Sequence, residues 1–105
     1  MDIEDWRKRI DELDQKLVEL LNQRARCAVE IGRLKRTTNL PIYEPDREKF
    51  ILENVCHANR GPLSDDDLKR VYERMIDVMR TIQRLDRQPS KAAGEGTELD
   101  VDVND

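Results

Sequence analysis

The stretch from residue 3 to residue 35, IEDWRKRIDELDQKLVELLNQRARCAVEIGRLK, decides the fold. Its apolar residues recur at alternating steps of three and four: Ile3, Trp6, Ile10, Leu13, Leu17 and Leu20, then Cys27, Ile31 and Leu34. Arg24 alone breaks the type while keeping the period. Such spacing lays one stripe along one face of an α-helix and makes a coiled-coil-like seam. No proline comes before Pro41, and Gly32 is the stretch's one glycine, so a single helix is expected from about residue 3 to residue 37. At ~1.5 Å per residue such a helix is about 50 Å long. The remaining chain is too short to cover a rod of that length. Its seam is therefore expected to meet a second copy, so a homodimer follows from length and pattern.

Working outward, Thr37 to Glu44 reads as a connector, with Asn39 and Pro41 as breakers. Pro45 suits the first turn of a second helix, where its missing N–H costs little. That helix is expected to reach about Asn59, to bury Ile51, Leu52 and Val55, and to stop at Gly61-Pro62. Ser64-Asp65-Asp66-Asp67 resembles a capping box opening a third helix, with acids at its positive end. Leu68, Val71, Tyr72, Met75, Ile76, Met79 and Ile82 give that helix its apolar stripe, which Gln83 joins four residues after Met79. Beyond Gln88-Pro89 the chain turns to Ser, Ala, Gly and acids with no stripe. The expected architecture is all-α: a three-helix domain over residues 1–87 and an acidic, disordered and dispensable tail over 88–105.

Composition agrees with one small domain. Of 105 residues, 40% are charged and 37% hydrophobic, which suits helices that each bury a narrow stripe. Glu95, Glu98, Asp100, Asp102 and Asp105 stand against Lys91 alone, so the tail carries the whole net charge of −4. A neutral body with interspersed charges argues against nucleic acid, which wants a one-sided basic surface. Cys27 and Cys56 are too few for a disulfide framework, and with His57 they lack the spacing of a metal site. No apolar run approaches the ~18 residues of a membrane span, and the acidic N-terminus is not that of a signal peptide. A reduced, cytoplasmic protein is expected.

Chemistry is expected where polar residues stand at apolar positions. Arg24 lies in the seam, and Lys35 follows eleven residues on, about 20° around the helix and roughly 16 Å along it. Two long cations on one face can converge on a small anion. The alternatives are an Arg24 that snorkels out of a coiled-coil seam and a Lys35 solvated near the helix end. Gln83 in an apolar stripe needs partners, because an unsatisfied buried amide costs about 1–3 kcal/mol; backbone groups could supply them. Glu44, Asp46, Arg47 and Glu48 cluster at the start of the second helix, where acids also serve the helix dipole. Cys27 reads as a small core residue. Arg7 is exposed by the period and lies about 25 Å from Arg24 along the same helix. An antiparallel partner helix could bring its own Arg7 close to Arg24.

These residues resemble those of the all-helical bacterial chorismate mutase family. Arg7 to Arg24 (RKRIDELDQKLVELLNQR) with Ala25 to Lys35 (ARCAVEIGRLK) looks like its first helix. Pro41-Ile-Tyr-Glu44-Pro-Asp-Arg47-Glu48 is similar to its connector and second-helix start, and Ile82-Gln83 to its closing motif. The spacing agrees over about residues 3–87. The resemblance implies an intertwined homodimer in which each first helix spans both active sites, with no cofactor and no metal. By the same resemblance, the partner's Arg7, together with Arg24 and Arg47, would surround two substrate carboxylates. Lys35 and Gln83 would point at an ether oxygen, Lys35 also reaching a carboxylate, and Glu48 would take a ring hydroxyl with the backbone near Glu44 assisting. Glu44 stands where some members carry Asp. Met79 stands where many carry a hydroxyl residue that touches a carboxylate, a contact that would here fall to a backbone N–H.

The implied reaction is the one-step rearrangement of chorismate to prephenate in phenylalanine and tyrosine biosynthesis. A C–O bond breaks as a C–C bond forms, without nucleophile or proton transfer. Catalysis then means holding the folded conformer and stabilising charge that gathers on the ether oxygen. Arginine forks suit the first task; a cation and a neutral amide donor suit the second. The alternatives are an isochorismate pyruvate lyase, which shares the fold but is disfavoured by Glu48, and a non-catalytic helical dimer that partners the synthase at the head of the shikimate pathway.

Overall fold

The computed structural model describes residues 1–85; the tail expected at 88–105 lies outside the described residues. Three helices follow in order, α1 (Ile3–Thr38), α2 (Pro45–Ala58) and α3 (Asp65–Leu85). All three stand where the periodicity places them, and the described residues are all-helical apart from turns and connectors.

Local signals account for the ends of α1. Asp2 and Asp5 form a reciprocal capping box, each carboxylate accepting from the other's backbone N–H, and the acids Glu4 and Asp5 meet the positive end of the dipole. At the far end Asn39 takes the left-handed conformation (φ 61°), which asparagine tolerates better than most residues. The N–H of Leu40 donates to the Lys35 carbonyl at 2.8 Å, turning the chain into the connector. The third helix opens as expected on Ser64, whose Oγ accepts from the Asp67 N–H at 3.1 Å.

The packing is lopsided. α3 lies between the other two helices, against α1 on one side and α2 on the other. The buried residues of α1 are Ala28, Gly32 and Lys35, all in its C-terminal half. With Ile76 and Met79 of α3 they make the small core. Because α2 meets only α3, its stripe of Ile51, Leu52 and Val55 is half-buried rather than buried. Val71, read as part of the α3 stripe, is exposed. The seam residues Ile3, Trp6, Ile10, Leu13, Leu17 and Leu20 each keep more than half of their surface open. Among the described residues no helix is long and apolar enough to cross a membrane, and both cysteines are free thiols.

Candidate active site

Where α1, the connector, α2 and α3 come together they enclose a cavity of about 340 Å³. Lys35 anchors it. An ammonium this far out of water (7% exposed) must be matched by acceptors. It donates to the Ile42 carbonyl at 3.0 Å and to Gln83 Oε1 at 3.2 Å, and it is ion-paired with Glu44 Oε1 at 2.8 Å. The solvated lysine that position alone allowed is therefore replaced by a buried one.

Each partner arrives from a different segment for a local reason. Ile42 and Glu44 come from the connector, folded back beneath the end of α1. Glu44 is the N-cap residue of α2, yet it makes no side-chain capping bond, because its carboxylate is turned to Lys35. Gln83 comes from α3 at the point where that helix touches α1. A Cβ on Gly32 would lie 3.1 Å from both Gln83 Cα and Gln83 O, so glycine is what lets the two backbones close. Arg36 fixes the contact by donating to the Gln83 carbonyl at 3.2 Å. Since Lys35 can only donate, Gln83 must present its oxygen to it. That fixes the amide orientation and leaves the Nε2 donor for the cavity.

Arg24, half-buried, and the exposed Arg47 add two further cations to the lining; the Arg47 guanidinium lies 5.3 Å from the Phe50 ring centroid. Opposite them Glu48 Oε2 accepts from Arg80 Nη2 at 2.6 Å and from Arg80 Nε at 3.1 Å. Arg80 also reaches Asp77 at 3.1 Å and stacks 5.1 Å from the Tyr43 ring centroid. Its hydrogen bond to Glu48 is the main reason its pKa is raised above the ordinary value; burial opposes this, while the charges of Glu48 and Asp77 add to it. Arg80 is thus a fixed cation at any working pH.

Of the residues selected from the sequence, Arg24, Lys35, Glu44, Arg47, Glu48, Met79 and Gln83 all line this one cavity. Arg7 does not: it is exposed near the other end of α1 and paired with Glu4 at 3.0 Å. Met79 contributes an apolar wall. As an interior residue of α3 its N–H is committed to the helix ladder, so the expected backbone donor is not on offer there. Cys27, read as core, is exposed and lines the cavity mouth. Arg80 is not among the residues selected from the sequence, although its position carries a signal. Ile76, Arg80 and Gln83 follow at steps of four and three, so the charge stands on the same stripe that drew attention to Gln83.

Fold and site together define a small all-helical protein with a buried lysine in a cavity shared among its helices. The chain belongs to the type II chorismate mutase family, whose model matches residues 6–84. The bifunctional chorismate mutase/prephenate dehydratase of Pseudomonas aeruginosa is 38% identical over 97 residues, which cover 88% of this chain and 26% of that one. The chain thus spans about a quarter of the length of such relatives. The chorismate mutase of Methanocaldococcus jannaschii is 27% identical over 79 residues, 74% of this chain and 80% of that one. Among solved structures, the chorismate mutase of Helicobacter pylori in complex with prephenate superposes with a TM-score of 0.77 at 30% identity, covering 85% of this chain and 97% of that chain.

Proposed function

We propose that this chain converts chorismate to prephenate. The observation that carries the reading is the charge pattern of the cavity. Arg24, Lys35, Arg47 and Arg80 line it against Glu44 and Glu48, an excess of two positive charges for a substrate with two carboxylates. Arg24 and Arg47 serve those carboxylates with planar forks. Lys35, bonded to Gln83, brings a cation beside a neutral amide, the pair that an ether oxygen gaining negative charge requires. Glu48 offers a carboxylate to the ring hydroxyl. Met79, Ile76 and Ile51 provide the apolar walls that hold the ring in its folded conformer.

We read the working unit as an intertwined homodimer. The open stripe from Ile3 to Leu20 is the wrong surface for an isolated chain, and the partner's Arg7 would complete the cluster of cations around the carboxylates. Residues 1–87 form the catalytic unit in this reading, and the free thiols of Cys27 and Cys56 suit a reducing cytoplasm. A complex with the first synthase of the shikimate pathway is compatible with it and not required by it.

The test is to mix purified protein with chorismate, follow its loss by ultraviolet absorbance and identify the product. Prephenate should form, and a chelator should leave the rate unchanged. Pyruvate plus a salicylate-type product from isochorismate, with no prephenate from chorismate, would assign the lyase instead. No turnover of either would leave a binding module.

A further inference from the structure

The Glu48–Arg80 pair has an asymmetry that the proposed reaction can use. Arg80 places both of its contacts, from Nη2 at 2.6 Å and Nε at 3.1 Å, on a single oxygen, Oε2. Among the described residues Glu48 Oε1 takes no such bond, and Glu48 lines the cavity. The guanidinium is itself held from two further sides, by Asp77 one helical turn earlier and by the face of Tyr43 in the connector. Glu48 is on α2, Arg80 on α3 and Tyr43 between α1 and α2. The carboxylate is therefore oriented by elements other than its own helix, and both side chains of the pair are largely out of solvent, at 24% and 21% exposed.

We propose that Arg80 is a positioning residue. It pins one oxygen of Glu48 so that the other is presented in fixed orientation to the hydroxyl of the bound ligand. It acts through Glu48 rather than on the substrate itself. This rests on the chorismate reading, in which the ring hydroxyl is the group Glu48 accepts from. A hydrogen bond to a charged acceptor loses most of its value when the acceptor is free to rotate, because orientation must then be bought from binding.

The test is a double-mutant cycle on kcat/KM with Arg80→Met, Glu48→Gln and both together, each measured on chorismate and on a chorismate analogue lacking the ring hydroxyl. Arg80→Met is expected to lose about tenfold or more on chorismate, and Glu48→Gln about 10- to 100-fold. The double variant should be little worse than Glu48→Gln alone. On the analogue, Arg80→Met and wild type should differ by less than about threefold. Arg80→Lys keeps the charge but cannot place two donors on one oxygen, and should recover only part of the loss. Additive losses in the cycle, or an equal loss on both substrates, would overturn the proposal and make Arg80 a direct carboxylate ligand or a plain staple between α2 and α3. A wild-type protein that leaves chorismate untouched would remove the underlying reading instead, so the two failures are told apart by the first control.

Discussion

Lys35 donates to the Ile42 carbonyl and to Gln83 and is ion-paired with Glu44, so an anion that arrives beside it competes with one of these partners. The Ile42 carbonyl is held by the connector backbone, and Gln83 is held by the α1–α3 contact. Glu44 is half-exposed and on a flexible side chain (49% against 8% for Lys35), and it is the partner an arriving anion can displace. In the proposed reaction Gln83 must remain, because its amide donor serves the ether oxygen. Replacing it with glutamate tests that role. Gln83→Glu keeps the shape but turns the amide donor into an acceptor-only group once ionised, and the Lys35 ammonium would favour the ionised form. A carboxylate would then oppose an oxygen gaining negative charge. Loss of one such donor typically costs on the order of 10²–10³ in rate. The variant should be impaired at neutral pH and recover only as the pH falls below the ordinary glutamate value of about 4.3, where a proton restores the donor. Wild type should show no comparable gain. A folded variant whose pH–rate profile is flat, or merely acid-sensitive like wild type, would take Gln83 out of the mechanism.

At the scale of the helices, the site depends on one close approach, Gly32 of α1 against Gln83 of α3. Two effects compete at this position. Glycine in a helix interior costs about 1 kcal/mol relative to alanine, so Gly32→Ala should stiffen α1. The added Cβ, however, would sit 3.1 Å from backbone atoms of Gln83, and backbone yields less readily than a flexible side chain. Overpacking of this kind costs about 1–3 kcal/mol and should win. Moving α3 outward also moves Gln83 away from Lys35, so turnover should drop at least tenfold while the thermal midpoint changes by only a few degrees. A variant with a higher midpoint and unchanged turnover would mean that α3 can slide without disturbing the site. This contact also marks where reading the sequence stops. Arg24 and Gln83 were legible because each breaks an apolar stripe, and Arg80 was legible on the same ground. The burial of Lys35 was not, because it depends on a connector that folds back under α1 to bring Ile42 and Glu44 within reach. Nor was the need for glycine at Gly32, since a period within one helix says nothing about which helix comes near it.

At the scale of the whole molecule, the question is what covers the first half of α1. α3 packs only against the second half, and the stripe from Ile3 to Leu20 is open. If a second α1 lies antiparallel on that stripe so that the partner's Arg7 meets Arg24, the twofold axis passes near residues 15 and 16. The same register then brings Leu13 against Leu17 and Val18, and Ile10 against Leu20 and Leu21. It also sets Trp6 beside Arg24, where an indole can face a guanidinium. In the proposed dimer one register would thus serve both the apolar seam and the cationic cluster. The consequence is a shared site that genetics can dissect. Arg7→Ala and Arg24→Ala homodimers should each be inactive or nearly so, since every site lacks one arginine. In a mixed dimer, one site receives both lesions and the other receives none. After complete random exchange, half of the dimers are mixed and each has one intact site, so about a quarter of the wild-type activity should return. Exchange is checked independently by labelling the two variants with different tags and isolating the doubly tagged species. If that species forms in quantity and remains inactive, Arg7 does not cross to its partner's site, and the open stripe of α1 pairs in some other way.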